Sequence, residues 1–213
     1  MVRKLALVLT LACLCAGSTA PASQATPLFE ATSYPAKLKV GGGESQVFKN
    51  PNSSFKCKSL SLGGTLKAAT STVTLTPTYS ECTFWETAMT VKMNGCTFQV
   101  HLQKPDELLP RFDGTLDLLC PEGKALEFVS FFTQNCSWAY AETTALSRVT
   151  LENRPEDNPD DLHLYFEVAG LKVTEKGGNS TCGEGTWAGG SLAGMVRLQA
   201  ETEKGVGQNL LVK

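Results

Sequence analysis

Two histidines, His101 and His163, are the only imidazoles in the 213 residues. Each alternates with apolar neighbours in a strand-like run, so each is expected on an outward, solvated face. A zinc centre needs three or four ligands at close spacing, and this pair cannot supply it. Gly189-Gly190-Ser191-Leu192-Ala193 comes near a nucleophile elbow. It ends on alanine, no helical pattern follows and no histidine lies downstream, so the serine–acid–histidine order of that hydrolase motif is excluded. A glycosidase needs two carboxylates facing across a cleft. Asp113, Asp117, Glu122 and Glu127 are available, but acids are ordinary on wet strand faces and no spacing singles out a pair. In the run Glu156-Asp157-Asn158-Pro159-Asp160-Asp161, the acids Asp157, Asp160 and Asp161 could hold a weak extracellular calcium ion. Pro159 breaks any EF-hand spacing, and a solvated turn is the plainer expectation. Trp187 sits in a glycine-rich stretch, residues 177–194, with no phosphate-cradle lysine after the glycines. Its ring could stack on a sugar, with Trp85 or Phe84 as a second platform; a tryptophan capping the core is the competing expectation. No catalytic residue, metal or cofactor is expected.

The cysteines carry a firmer signal. Residues 1–25 read as an export signal: Arg3-Lys4, an apolar run from Leu5 to Cys15, then small residues, with cleavage expected after Ala25. The apolar run is short of the roughly 20 residues that span a bilayer. Removing it leaves 17 basic against 21 acidic residues, a net charge of −4. Without basic clusters, nucleic acid and anionic lipid are poor partners. Six cysteines remain: Cys57, Cys82, Cys96, Cys120, Cys136 and Cys182. An even number in an exported chain implies disulfides. The strand register favours a nested set, Cys57–Cys182, Cys82–Cys136 and Cys96–Cys120. Its rival joins Cys82 to Cys96 and Cys120 to Cys136. With every thiol used, no cysteine nucleophile is left.

The elements that must position these residues are strands. Asn94-Gly95 between two alternating runs is a strong hairpin signal, because a type I′ turn needs positive φ at both central residues. A hairpin there would set Met93 opposite Cys96, Val91 opposite Phe98 and Met89 opposite Val100. The next run would then set Leu102 opposite Gly114, Val100 opposite Leu116, Phe98 opposite Leu118 and Cys96 opposite Cys120. Thr72–Tyr79 alternates threonines with apolar residues and contains Pro77, which suits an edge strand. Glu142–Leu146 could form a helical turn. Leu162, Leu164, Phe166 and Val168 mark a half-buried strand, and Gly170 suggests a bulge before Leu171. Many short strands and no sustained helical period predict an all-β fold, a disulfide-stabilised two-sheet antiparallel sandwich, Ig-like or jelly-roll-like. Residues 26–45 read as an extended lead-in and 46–213 as one domain.

The pattern Phe55-Lys56-Cys57, Tyr79-Ser80-Glu81-Cys82-Thr83, Val91-Lys92-Met93-Asn94-Gly95-Cys96-Thr97-Phe98 and Leu116-Asp117-Leu118-Leu119-Cys120-Pro121 resembles a group of exported, cysteine-containing β-rich bacterial proteins common in soil actinobacteria. The resemblance covers most of the mature chain. It implies export and a β fold, and it carries no activity. The reading is therefore a non-enzymatic extracellular or cell-surface module, structural or adhesive, with an unidentified partner. A lectin-like domain using Trp187 is the alternative, and a secreted hydrolase a distant third.

Overall fold

The computed structural model describes residues 26–105, 111–130, 136–154, 161–177 and 184–213. Residues 1–25, expected to be an export signal, lie outside them. The described residues form fifteen strands: β1 (Phe29–Ala31), β2 (Ala36–Gly43), β3 (Gln46–Lys49), β4 (Ser54–Leu66), β5 (Thr72–Phe84), β6 (Thr87–Lys92), β7 (Thr97–Pro105), β8 (Arg111–Leu119), β9 (Ala125–Ser130), β10 (Cys136–Ala141), β11 (Thr143–Asn153), β12 (Asp161–Lys176), β13 (Gly185–Glu201), β14 (Gly207–Gln208) and β15 (Leu210–Val212). Within the stretch read as a lead-in, β2 is an integral member of the sheet, paired with β13 and β4.

Thirteen strands make one sheet, all of its pairings antiparallel. Its ends are joined by further pairings, and they close it twice. One ring runs β2–β4–β5–β7–β8–β11–β12–β13 and back to β2. A second runs β3–β4–β5–β6–β9–β10–β12–β13 and back to β3. The long strands β4, β5, β12 and β13 belong to both. Along the chain, β6 is followed by β7, β8 by β9 and β10 by β11, each passing from one ring to the other. The result is an up-and-down meander closed on itself. Closure leaves few of the open edges that an exposed sheet would offer to other chains. The expected division into two sheets is corrected accordingly: hydrogen bonding continues around the molecule instead of stopping between layers.

Period-two alternation places the core. Val73, Leu75 and Tyr79 of β5 are buried, while Thr74, Thr76 and Thr78 are exposed; on β4, Phe55 and Cys57 are buried between exposed Lys56 and Lys58. Apolar inside and polar outside is the inverse of the lipid-facing band of an outer-membrane barrel. No helix among the described residues is long and apolar enough to cross a membrane. In the second ring the interior is aromatic. Phe128 lies 4.7 Å from both Phe48 and Phe55, ring centre to ring centre, and Trp138 lies 4.8 Å from Phe84. At the first ring's end the two chain termini form a plug. β1 pairs with β15, burying Phe29, Leu210 and Val212, and the Asn153 amide exchanges two hydrogen bonds with the Val212 backbone at 2.7 and 3.0 Å.

The β7–β8 register is the one expected: Leu102 faces Gly114, Val100 faces Leu116 and Phe98 faces Leu118. Cys96 and Cys120 are joined. The hairpin across Asn94-Gly95 is not formed. The turn is present, with φ of 50° and 81° at its centre and the Cys96 N–H donating to the Met93 carbonyl at 2.8 Å. It works as a corner, because β6 pairs with β5 and β9 rather than β7. The nested disulfide set is corrected too. Cys57 bonds Cys82, its direct cross-strand neighbour, which rules out Cys57–Cys182, Cys82–Cys136 and the rival Cys82–Cys96. Cys136 is also disulfide-bonded, and Cys182 lies outside the described residues. The expected helical turn at 142–146 is the bulged start of β11, where Ala145 has a φ of 56°. The bulge at Gly170 is present, with a φ of 87° and a register shift between Ala169 and Leu171.

Candidate functional site

Among the described residues, the most exposed large apolar side chain is at a turn with no glycine and no asparagine. Phe84 faces Thr87, so Trp85 and Glu86 alone connect β5 to β6. Their φ angles are 47° and 65°, the pair that a type I′ connection demands. A bulky residue in the left-handed region is an outlier, costing about 1–2 kcal/mol. The Trp85 ring is nevertheless 67% exposed. It stacks on Phe84 at 4.8 Å with 15° between planes, and Phe84 is fully buried against Trp138. A rigid aromatic column thus runs from the core and ends in water.

The strand register builds a surface around that ring. Val47, Lys56, Thr83 and Ala88 lie directly opposite one another across β3, β4, β5 and β6. Ser54, Val47, Lys56, Thr83, Trp85 and Glu86 line a shallow depression of about 270 Å³. Its exposed lining is mostly apolar, and Lys56 and Glu86 bring one charge of each sign to its surroundings.

The other singled-out residues are placed differently. Trp187 is only partly exposed: it packs against the core and over Gly185, where an added Cβ would come within 3.0 Å of its ring. It caps the core, and the free platform is Trp85. Ser191 is a mid-strand residue of β13, paired between Ala169 and Lys49, with no sharp turn to lift its hydroxyl. Glu122 is exposed in the turn before β9, and Glu127 pairs with Lys92 at 3.5 Å. Asp161 is buried; its carboxylate accepts from Gln199 at 2.7 Å and faces the Arg197 guanidinium at 3.7 Å, partners that compete with a calcium ion. Asp157 and Asp160 lie outside the described residues. No group of three or more potential metal ligands occurs among the described residues.

Both histidines take the expected outward face, but only His101 keeps its exposure. His163, opposite Glu152 and Arg197, is only 6% exposed, and neither ring nitrogen has a hydrogen-bond partner among the described residues. His101 lies between the Thr72 hydroxyl, 3.2 Å from Nδ1, and the Asp117 carboxylate, 3.0 Å from Nε2. Hydroxyl, imidazole and carboxylate are the parts of an activated nucleophile. Here they form a cross-strand ladder on an open face, the His101 side chain 35% exposed. The second Asp117 oxygen accepts the Ala145 N–H at 2.6 Å, so the ladder fixes the bulge in β11.

A wider depression, about 550 Å³, is open and polar, lined by Arg111, Asp113, Arg148, Thr150, Tyr165 and Glu167. Its guanidiniums face carboxylates of the same surface, Arg111 with Glu152 and Arg148 with Glu167, both at 3.7 Å. The Tyr165 phenol is pushed up first by partial burial, with Arg154 opposing. The charges balance within the patch.

Comparison with family models, with curated proteins and with solved structures yields no match. Local geometry therefore carries the functional reading. Trp85 is a candidate in the sequence beside Trp187. A further signal for it is Trp85-Glu86 between alternating runs, a two-residue connection made of residues that a hairpin turn does not favour.

Proposed function

We propose that the chain is an exported, non-enzymatic binding module acting outside the cell or on its surface, in a structural or adhesive role. Disulfides suit an oxidising compartment. A closed sheet with a filled interior suits a scaffold that presents surface rather than enclosing a reaction. The observation that carries the reading is Trp85, a large ring held in water in an unfavourable backbone conformation at the end of an aromatic column. Strained residues persist where function needs them, and exposed aromatics anchor interfaces.

Two measurements test it. The protein should be recovered from the culture supernatant or by shaving intact cells with protease, with its N-terminus at Thr26; retention in the cytoplasm would overturn export. Purified protein should adhere to the surface of the producing cells, and Trp85→Ala should abolish that adherence while leaving the circular-dichroism spectrum unchanged. Equal adherence of both proteins would remove Trp85 from the function.

A further inference from the structure

The geometry points to a neutral saccharide as the ligand of the Trp85 surface, an inference that rests on the binding role proposed above. The Trp85 ring presents one open face, because Phe84 stacks on the other at 4.8 Å. An open π-face backed by a rigid column suits a flat partner with polarised C–H groups, and a pyranose has such a face. Ser54, Thr83, Lys56 and Glu86 are among the residues around the ring, so a mostly apolar surface has donors and acceptors close by. A pyranose offers both a C–H face for the ring and hydroxyl groups for its surroundings. One cation and one anion cancel, so the surface does not select a charged ligand, unlike a guanidinium cluster built for carboxylate or phosphate. An apolar peptide side chain would cover the ring and make no use of the donors and acceptors beside it. The depression of about 270 Å³ is shallow and open, the form of a site that reads one or two units along a chain.

The test uses the mature protein on an array of neutral and acidic oligosaccharides, followed by calorimetric titration with the neutral hits. Binding to neutral oligosaccharides is expected, weakened about tenfold or more in Trp85→Ala and less in Trp85→Phe, which keeps a stacking face. Acrylamide quenching of Trp85 emission should fall on ligand addition, since Trp138 is fully buried and Trp187 packs against the core. Silence on the neutral array overturns the proposal, as does binding confined to acidic glycans or unchanged in Trp85→Ala. If the array is silent while Trp85-dependent adherence to cells persists, the saccharide assignment fails and the binding role survives. If adherence is also absent, both fail. A dimer in sedimentation that Trp85→Ala dissolves would assign the surface to a second copy of the chain.

Discussion

Tyr79 and Tyr140 both pack against Phe48 and Phe128 in the aromatic interior, and their hydroxyl groups have opposite fortunes. The Tyr140 hydroxyl donates to the Asn50 side chain at 2.6 Å, whereas the Tyr79 hydroxyl is buried with no partner among the described residues. Removing a satisfied buried hydroxyl costs about 1–2 kcal/mol, while removing an orphaned one costs little or is stabilising. Tyr140→Phe should therefore lower the urea midpoint, and Tyr79→Phe should leave it unchanged or raise it. Burial pushes both phenols well above the usual value of 10. The protonated form thus belongs to the folded state, and its stabilising contribution is complete below the unfolded pKa. As pH rises above 10 the unfolded chain sheds these protons and the folded one does not. Stability should fall by up to about 1.4 kcal/mol per pH unit for each tyrosine. Chemical unfolding between pH 9 and 12 checks this; the slope should be shallower in Tyr79→Phe. At the β5–β6 turn, replacing Trp85-Glu86 by Asn-Gly should raise stability by about 1–2 kcal/mol, because those residues accept positive φ. The same change should eliminate ligand binding. A gain in stability without a loss of binding would show that the strain has no functional return.

The β4–β5 hairpin shows what the sequence made legible at the level of elements and what it hid. Alternation correctly identified the Thr72–Tyr79 run, and the Leu116/Leu118 face located the β7–β8 register and the Cys96–Cys120 bond. Pro77 suggested an edge, and residues 76–82 of β5 do have only β4 beside them among the described pairings. The Cys57–Cys82 bond escaped because Gly63-Gly64 reads as the end of a strand. In fact β4 continues to Leu66, and Gly64 packs where a Cβ would stand 2.9 Å from the Thr74 carbonyl. Once that continuation is known, the register sets Cys57 against Cys82. Local pattern also could not show that β6 turns away to β9, since a partner about 35 residues distant is invisible to a window of ten. The Cys57→Ser/Cys82→Ser double variant should lose about 3 kcal/mol of stability, read as a lower thermal or urea midpoint. An unchanged midpoint would mean that the β4–β5 ladder alone restrains the unfolded chain.

For the whole molecule, ring closure makes disulfide mapping a test of topology. Non-reducing peptide maps should show Cys57 with Cys82 and Cys96 with Cys120. With Cys57, Cys82, Cys96 and Cys120 already used, Cys136 should appear with Cys182. Recovery of Cys82–Cys136 would be incompatible with the closed meander. The termini plug adds one more consequence. Leu28 and Lys213 exchange backbone hydrogen bonds at 2.7 and 3.1 Å, at the end of β5 opposite the Trp85 turn. A short linker from Lys213 to Leu28 would close residues 28–213 into a circle, which could be reopened between β4 and β5 without altering a single ladder. Cargo joined next to Leu28 or Lys213 would likewise ride at the far pole, leaving the aromatic tip unobstructed.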